Sequence, residues 1–242
     1  MSGKLLEEKI VEHCAPTLAG LKTANMFNYP CADRDVLASD LAEVNDLLRG
    51  KGVCLTVLRY TQKNALVYVF RPDRLLADLA DPLARQILTE NGYGADGCGA
   101  ESCAGRCRAD DRRDDASCAG MDCAENSYPC TGLCEAQDPA TCADGRGAAL
   151  HAALTTLRRR LAGAGDGDFP HEVGLFLGYP PEDVLGFIRQ DGAHCVCSGI
   201  WKAYADPEGR RRLFARLRKC AEVYREVYRG GRRTLTQLTV AA

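Results

Sequence analysis

A stretch with almost no large apolar residues, running from Gly94 to about Gly147, interrupts a sequence that otherwise looks able to form a core. Gly, Ala, Asp and Cys make up most of this stretch, so it cannot build a hydrophobic core of its own. The sequence on both sides carries helix and strand patterns. We therefore predict one α+β domain from residues 1–93 and 148–242. We expect residues 94–147 to form a Cys/Gly/Asp-rich insert that is disordered unless a metal organises it.

The apolar periodicity outside the insert predicts the individual elements. VCLTVLRY and ALVYVF read as a β-hairpin, with Asn64 in a left-handed turn position. VGLFLG reads as a buried strand, and both HCVCSGIWKAYAD and LTQLTVA contain candidate strands. Helices are predicted over residues 3–13, 34–49, 72–80, 82–90, 148–161, 181–190 and 207–228. The expected architecture is a single domain with a mixed or largely antiparallel sheet flanked by helices.

Charge and hydropathy exclude several classes of protein. The formal net charge is -2 with 26% charged residues, so no basic excess suggests binding to nucleic acid. The first residues contain acids and no unbroken apolar core, which argues against a signal peptide. No apolar run is long enough to span a bilayer. We expect a cytoplasmic protein whose 14 cysteines are reduced thiols or metal ligands.

The insert holds eight of the cysteines: Cys98, Cys103, Cys107, Cys118, Cys123, Cys130, Cys134 and Cys142. The gaps of four residues after Cys98 and Cys118, and of three after Cys103 and Cys130, form a loose duplicated pattern. Thiolates spaced this closely can converge on zinc or an iron–sulfur cluster, and the segment would fold on binding. The spacing matches neither a zinc knuckle nor a ferredoxin motif. The alternative is a low-complexity insert that tolerates cysteine.

His13 and Cys14 are adjacent near the end of the first predicted helix. A thiol beside an imidazole and within reach of Lys22 could have a lowered pKa and act as a nucleophile or a metal ligand. The alternative is a structural cysteine beside a surface histidine, because neighbouring helical side chains point about a hundred degrees apart.

A second candidate site lies in FPHEVGLFLGYPPEDV. His171 and Glu172 precede the predicted strand, and Gly178 and Tyr179 begin the turn into the next helix. Helix starts that follow a strand are common places for ligands in α/β sheets. Acids in the first turn of the helix argue for simple capping instead, and a His-Glu pair is a short motif with many false positives.

Cys195 and Cys197 lie two residues apart, so on a strand their thiols share a face and could bind a soft metal or close a disulfide. They could equally be core residues. Trp201 and Lys202 follow and could hold a flat ligand, although packing of the lysine stem on a ring is the commoner arrangement. The basic residues of the last long helix indicate a solvated face, or a docking surface for the acidic insert or an acidic partner.

HCAPTLAGLKTANMF, YVFRPDRL, FPHEVGLFLGYPPEDVLGFI, CSGIWKAYAD and the helix around Cys220 together resemble an uncharacterised domain-of-unknown-function family of anaerobic, mostly clostridial, bacteria. The resemblance covers nearly the whole chain except the insert, where the family has a much shorter connection. It implies a stand-alone cytoplasmic protein and brings no established activity. It also implies an anaerobic setting, which favours reduced thiols and oxygen-sensitive iron–sulfur chemistry. The residues on the family motifs are His13, Cys14, Lys22, His171, Glu172, Gly178, Tyr179, Cys197, Trp201, Lys202 and Cys220.

Three hypotheses about function stay open. The first is a metal- or thiol-handling accessory protein with a redox or metal-handling partner, in which Cys14, Cys197 and Cys220 converge as ligands. The second is a small-molecule enzyme with Cys14 as nucleophile and His171 as base. The third is a regulatory module that binds a partner protein. The motifs of nucleotide triphosphatases, dinucleotide dehydrogenases, zincins and serine hydrolases do not occur in the sequence.

Overall fold

A computed structural model describes residues 2–94, 146–164 and 169–241. The predictions for the insert, including a metal role for its eight cysteines, therefore lie outside the described residues. The helices are α1 (Ser2–Leu18), α2 (Arg34–Leu48), α3 (Pro72–Leu79), α4 (Pro82–Glu90), α5 (Arg146–Gly163), α6 (Val173–Phe176), α7 (Pro181–Arg189), α8 (Pro207–Arg229) and α9 (Leu235–Leu238). The strands are β1 (Ala24–Pro30), β2 (Cys54–Tyr60), β3 (Asn64–Phe70), β4 (Cys197–Ser198) and β5 (Lys202–Ala203).

The centre of the fold is a three-stranded antiparallel sheet in the order β1-β3-β2. Side chains alternate across the central strand. Val67 and Val69 pack into one apolar cluster, which includes residues of α1, α2 and α9. Tyr68 and Phe70 pack into a second cluster on the other face, which includes residues of α3 to α7. The sheet is therefore covered on both faces, and the prediction of an α+β fold with an antiparallel sheet is confirmed.

A third, smaller cluster joins the β4-β5 hairpin to the long helix α8. Its buried members are Trp201 and Ala203 from the hairpin and Phe214 and Leu217 from α8. Leu21, from the loop after α1, packs against the same cluster. The end of α1 and the hairpin thus meet through this cluster.

Several local predictions are confirmed by the structure. Asp33 caps α2, because its carboxylate accepts hydrogen bonds from the backbone amides of Asp35 and Val36 at 2.9 and 3.3 Å. Pro72 and Pro82 each begin a helix, where a missing N–H costs nothing. β2 and β3 form the predicted antiparallel hairpin.

Other local predictions are wrong. VGLFLG forms the short helix α6 rather than a strand, and LTQLTVA contains the helix α9, which begins at a capping box on Thr234. A short apolar run fits a buried helix and a buried strand equally well, so the apolar pattern of these segments does not distinguish the two. Asn64 is the first residue of β3 and has a negative φ. The edge strand β1 was not predicted.

The buried guanidinium of Arg71 ties three chain segments together. Its Nε donates to the carbonyl of Thr17 at 2.8 Å, and its Nη2 donates to the carbonyls of Leu18 and Val240 at 2.9 and 2.8 Å. The carbonyls at the end of α1 have no partner within the helix, so a cation there satisfies them and complements the helix dipole. The amide of Val240 also donates to Leu18 at 3.0 Å, which fixes the end of the chain against α1. No helix in the described parts of the chain is long and apolar enough to cross a membrane.

Replacing Arg71 with Lys should lower the free energy of unfolding by about 2–4 kcal/mol, because an ammonium cannot reach all of these buried carbonyls. Urea unfolding monitored by circular dichroism measures the change. Arg49→Lys is the matched control. Arg49 pairs with Asp46 on an exposed surface at 2.5 Å, so the control should cost less than about 1 kcal/mol. Equal losses in the two variants would contradict this role for Arg71.

Candidate functional site

The loop after α1 turns the chain so that Lys22 enters the core. The backbone amides of Leu21 and Lys22 both donate to the carbonyl of Pro16, at 2.9 and 3.1 Å. Gly20 has a φ of 68°, a conformation that glycine adopts without strain. Leu21 stays half-buried and Lys22 is only 5% exposed.

Lys22 is a buried lysine that forms no ion pair with a carboxylate in the described parts of the chain. Its Nζ donates a hydrogen bond to the carbonyl of Ala24 and lies 4.9 Å from the centre of the Tyr179 ring. Burial lowers the pKa of Lys22 to about 7, and an interaction with Cys14 acts in the opposite direction. The amine therefore titrates near neutral pH, where a lysine can exchange protons.

Cys14 is completely buried, and burial raises the pKa of its thiol well above the usual value. This is the opposite of the lowered pKa expected from the sequence. Its neighbour His13 is exposed and stacks on Phe27 with ring centres 5.3 Å apart. Burial of part of the ring lowers the pKa of His13, although Glu12 opposes the effect. His13 and Cys14 thus lie in different surroundings.

An aromatic stack continues from Lys22 towards the hairpin. Tyr179 stacks on Trp201 with ring centres 4.5 Å apart, and Trp201 meets Phe214 edge to face at the same separation. Gly178 lies immediately before the stack with a φ of 69°, and a Cβ there would come within 2.6 Å of Thr23. The motif residues Lys22, Gly178, Tyr179 and Trp201 therefore do come together in the structure.

The carboxylate of Asp183 fixes this arrangement and is buried. It accepts hydrogen bonds from Trp201 Nε1 at 2.9 Å, Arg210 Nε at 2.8 Å and the backbone amides of Tyr204 and Ala205 at 2.8 and 3.1 Å. Three elements meet at this one side chain: α7, the hairpin and α8. The sequence pattern of this turn indicates only a capping role for its acids. The proline that begins α7 and the acids behind it gave no signal of a long-range contact.

His171 and Glu172 lie elsewhere. Glu172 is buried, where it accepts hydrogen bonds from Arg160 and, at 3.2 Å, from Tyr93. His171 is exposed, with Phe187 at a ring distance of 4.9 Å. Lys202 is near the same phenylalanine, at 5.8 Å, and donates to the carbonyl of Gly192 at 2.8 Å. The structure shows no contact between His171 and Cys14.

Of the two cysteines predicted to share a strand face, only Cys197 belongs to β4, and Cys195 lies two residues before it. Both cysteines are half-buried, whereas Val196 between them is 47% exposed. The amide of Val196 donates to the carbonyl of Ala203 at 2.9 Å, which ties the segment before β4 to the end of β5. Cys197 packs against the Trp201 cluster, and its Sγ lies 3.8 Å from the carbonyl of Pro207.

Cys220 lines a surface groove between the loop after α1 and α8, which we name the α1–α8 groove. The other lining residues are Ala19, Leu21, Arg216, Lys219, Val223 and Tyr224. Burial raises the pKa of the Cys220 thiol, and Arg216 acts in the opposite direction. Leu21 belongs to both the groove and the Trp201 cluster, so the groove lies beside the turn that buries Lys22.

Within residues 2–94, 146–164 and 169–241, no group of three or more His, Cys, Asp or Glu residues is placed to hold a metal ion. Cys14, Cys197 and Cys220 therefore do not form a three-ligand site with one another. Their metal role, and the catalytic roles of His13, Cys14, Lys22, His171 and Glu172, stay predictions.

The buried Lys22 should make stability depend on pH. The folded-state pKa of about 7 lies below the ordinary lysine pKa of 10.5, so the unfolded chain binds more protons between these pH values. Stability should therefore rise with pH from 7 to 9, by at most about 1.4 kcal/mol per pH unit. Above pH 9 the raised pKa of Cys14 opposes this rise.

Lys22→Met should remove that slope, because it removes the titrating amine. Urea unfolding at intervals between pH 7 and 9 measures it. Lys4→Met is the matched control, because it removes an exposed lysine of α1 and keeps the buried amine. The same slope in Lys22→Met and the wild type would refute the assignment.

Asp183→Asn should lower the free energy of unfolding by about 3–5 kcal/mol, because an amide cannot accept from all four donors and leaves Arg210 without its buried partner. Glu182→Gln is the matched control. Glu182 pairs with the same arginine at 2.7 Å but is exposed, so the control should cost less than about 1 kcal/mol. The fluorescence of Trp201, the single tryptophan, reports unfolding at the site itself. Equal losses would exclude Asp183 as the anchor.

A family of known proteins matches the chain on both sides of the insert and includes the first and last residues of the insert. The pattern of a family described as a protein of unknown function, DUF3793, matches residues 10–106 and 142–239. The matched ranges include the end of α1, the α6–α7 turn, the hairpin and α8, where the site residues lie. No curated protein and no solved structure matches the chain. The match covers well over half of the sequence, and the chain therefore belongs to the DUF3793 family.

Proposed function

We propose that this protein is a cytoplasmic accessory protein that handles thiols or soft metal ions, and that the pair Cys195 and Cys197 is its point of exchange. The observation that carries the proposal is that these two thiols, two residues apart where the chain enters the β4-β5 hairpin, are both half-buried rather than enclosed in the core. Thiolates are the ligands that soft ions such as Cu(I) prefer, and two thiols held on one face can bind such an ion together.

The surroundings of the hairpin support this role. The two backbone amides and the indole that donate to Asp183 hold the chain that follows the cysteine pair. A pair held in this way loses little conformational freedom on binding an ion. A Cu(I) ion held by two thiolates can accept a third, so a thiol of a partner protein can join the ion and then receive it. This is the behaviour of an accessory protein that passes its cargo on.

The enzyme hypothesis has less support. A nucleophilic cysteine needs access to its substrate and a lowered pKa. Cys14 is completely buried and its pKa is raised. His171, the proposed base, lies on the surface against Phe187. The cysteines of the insert remain further candidate ligands for the cargo, and the experiment below counts them as well.

Replacing both Cys195 and Cys197 with Ser should reduce the number of Cu(I) ions bound per chain by one. The full-length chain is titrated with Cu(I) under anaerobic conditions in competition with a colorimetric chelator. The matched control replaces Cys31 and Cys54, which are buried or half-buried and are not paired in sequence. This control should bind as much Cu(I) as the wild type.

Two results would refute the proposal. One is an unchanged stoichiometry in the Cys195/Cys197 variant, and the other is an equal loss in both variants. Thermal unfolding of each variant, followed by circular dichroism, separates a lost ligand from a lost fold. Serine keeps the size of the side chain, so both variants should fold.

A further inference from the structure

The α1–α8 groove is an open apolar surface. Its walls are Ala19 and Leu21 on one side and Cys220, Val223 and Tyr224 on the other, and its volume is about 430 Å³. Val223 is 42% exposed. Single exposed valines are ordinary on protein surfaces, but a continuous apolar groove is typical of a place where another chain binds.

The rim of the groove is positively charged. Arg216 and Lys219 stand beside its apolar walls. Among the described residues Lys219 pairs only with the exposed Glu222, at 3.6 Å, which is a weak interaction in water. Arg216 forms no ion pair with any residue of the described ranges. A ligand that suits this rim carries carboxylates.

The shape of the surface distinguishes a protein ligand from a membrane. Peripheral binding to a bilayer requires apolar side chains that protrude into the lipid. Here the apolar atoms line a shallow, open groove between the loop after α1 and α8. Such grooves take the apolar face of a peptide segment from another protein, usually a helix.

We propose that the α1–α8 groove docks an acidic amphipathic segment of a partner protein. The apolar side chains of that segment lie between Leu21 and Val223, and its carboxylates face Arg216 and Lys219. This inference rests on the proposed function, because it identifies the surface by which the partner in the exchange is held.

The groove and the thiol pair lie along the same helix. Cys197 contacts the carbonyl of Pro207 at the start of α8, and the groove begins at Arg216. A rise of 1.5 Å per residue places these two positions about 14 Å apart along the helix. A protein interface of standard size can cover both. A partner docked in the groove is thus held beside the thiols from which it receives its cargo.

The experiment uses two dye-labelled helical peptides and the full-length chain. One peptide carries leucines at i, i+3, i+4 and i+7 flanked by glutamates, and the other replaces every glutamate with lysine. Fluorescence anisotropy should show that the glutamate peptide binds about tenfold more tightly, and that added salt weakens its binding. Val223→Asp should weaken that binding about tenfold or more, because it places a charge in the apolar wall.

Val36→Asp is the matched control, because Val36 is also a helical valine and is 46% exposed, on α2 away from the groove. It should leave binding of the peptide unchanged. Equal binding of the two peptides, no binding of the glutamate peptide at millimolar concentration, or equal effects of the two valine variants would each overturn the inference.

Other occupants of the groove would also overturn it, and each has its own signature. A second copy of the chain would appear as a dimer in light scattering, dissociated by Val223→Asp. A membrane would appear as binding to phosphatidylserine vesicles in preference to the glutamate peptide. If an acidic segment of the same chain occupied the groove, it would compete with the peptide. The glutamate peptide would then bind only after Asp110, Asp111, Asp114 and Asp115 are replaced with Ser.

The inference and the proposed function can fail separately. Cu(I) stoichiometry depends on Cys195 and Cys197, whereas binding of the peptide depends on Val223 and Arg216. A chain that loses the Cu(I) ion in the cysteine variant but binds neither peptide would keep the proposed function and lose the docking surface.

Discussion

The contact on which the rest of the structure depends is the buried guanidinium of Arg71 against the last carbonyls of α1 and the end of the chain. A helix end inside a core leaves acceptors that water cannot reach, and each would cost free energy if it stayed unpaired. Arg71 satisfies them from the end of β3. Because the helix ends at a fixed place, the loop that follows can direct Leu21 outwards to the groove and Lys22 into the core.

Asp183 has the complementary role at the other side of the site. A buried carboxylate is stable only if donors surround it, and here they come from the hairpin and from α8. One buried cation and one buried anion therefore hold separate segments, and the aromatic stack of Tyr179 and Trp201 lies between them. The contacts of Arg71 and Asp183 therefore fix the segments that carry the thiol pair and the groove.

Local sequence patterns predicted most of the helices, the main hairpin and the α+β class, because caps, prolines and apolar periodicity act over a few residues. They failed where distant contacts decide the conformation. VGLFLG is a helix because it packs between the sheet and α7, where a Cβ on Gly174 would come within 2.8 Å of Val184. The sequence motifs identified the site residues Lys22, Tyr179 and Trp201, but they did not identify Asp183, which holds the site together. The hydrogen bonds of Asp183 join residues that no local pattern links.

Burial distinguishes unreactive thiols from accessible ones, which the spacing of cysteines in the sequence cannot do. Cys14 sits where its thiolate would be desolvated, and the nearby amine of Lys22 is itself pushed towards its neutral form. Thiolate and ammonium would stabilise each other, but burial disfavours both charges, so the neutral pair prevails. Such a pair resists oxidation and metal binding. Exchange of a metal ion or a thiol partner requires a thiol that solvent or another protein can reach. Among the described residues, Cys195 and Cys197 at the hairpin and Cys220 in the groove meet that condition.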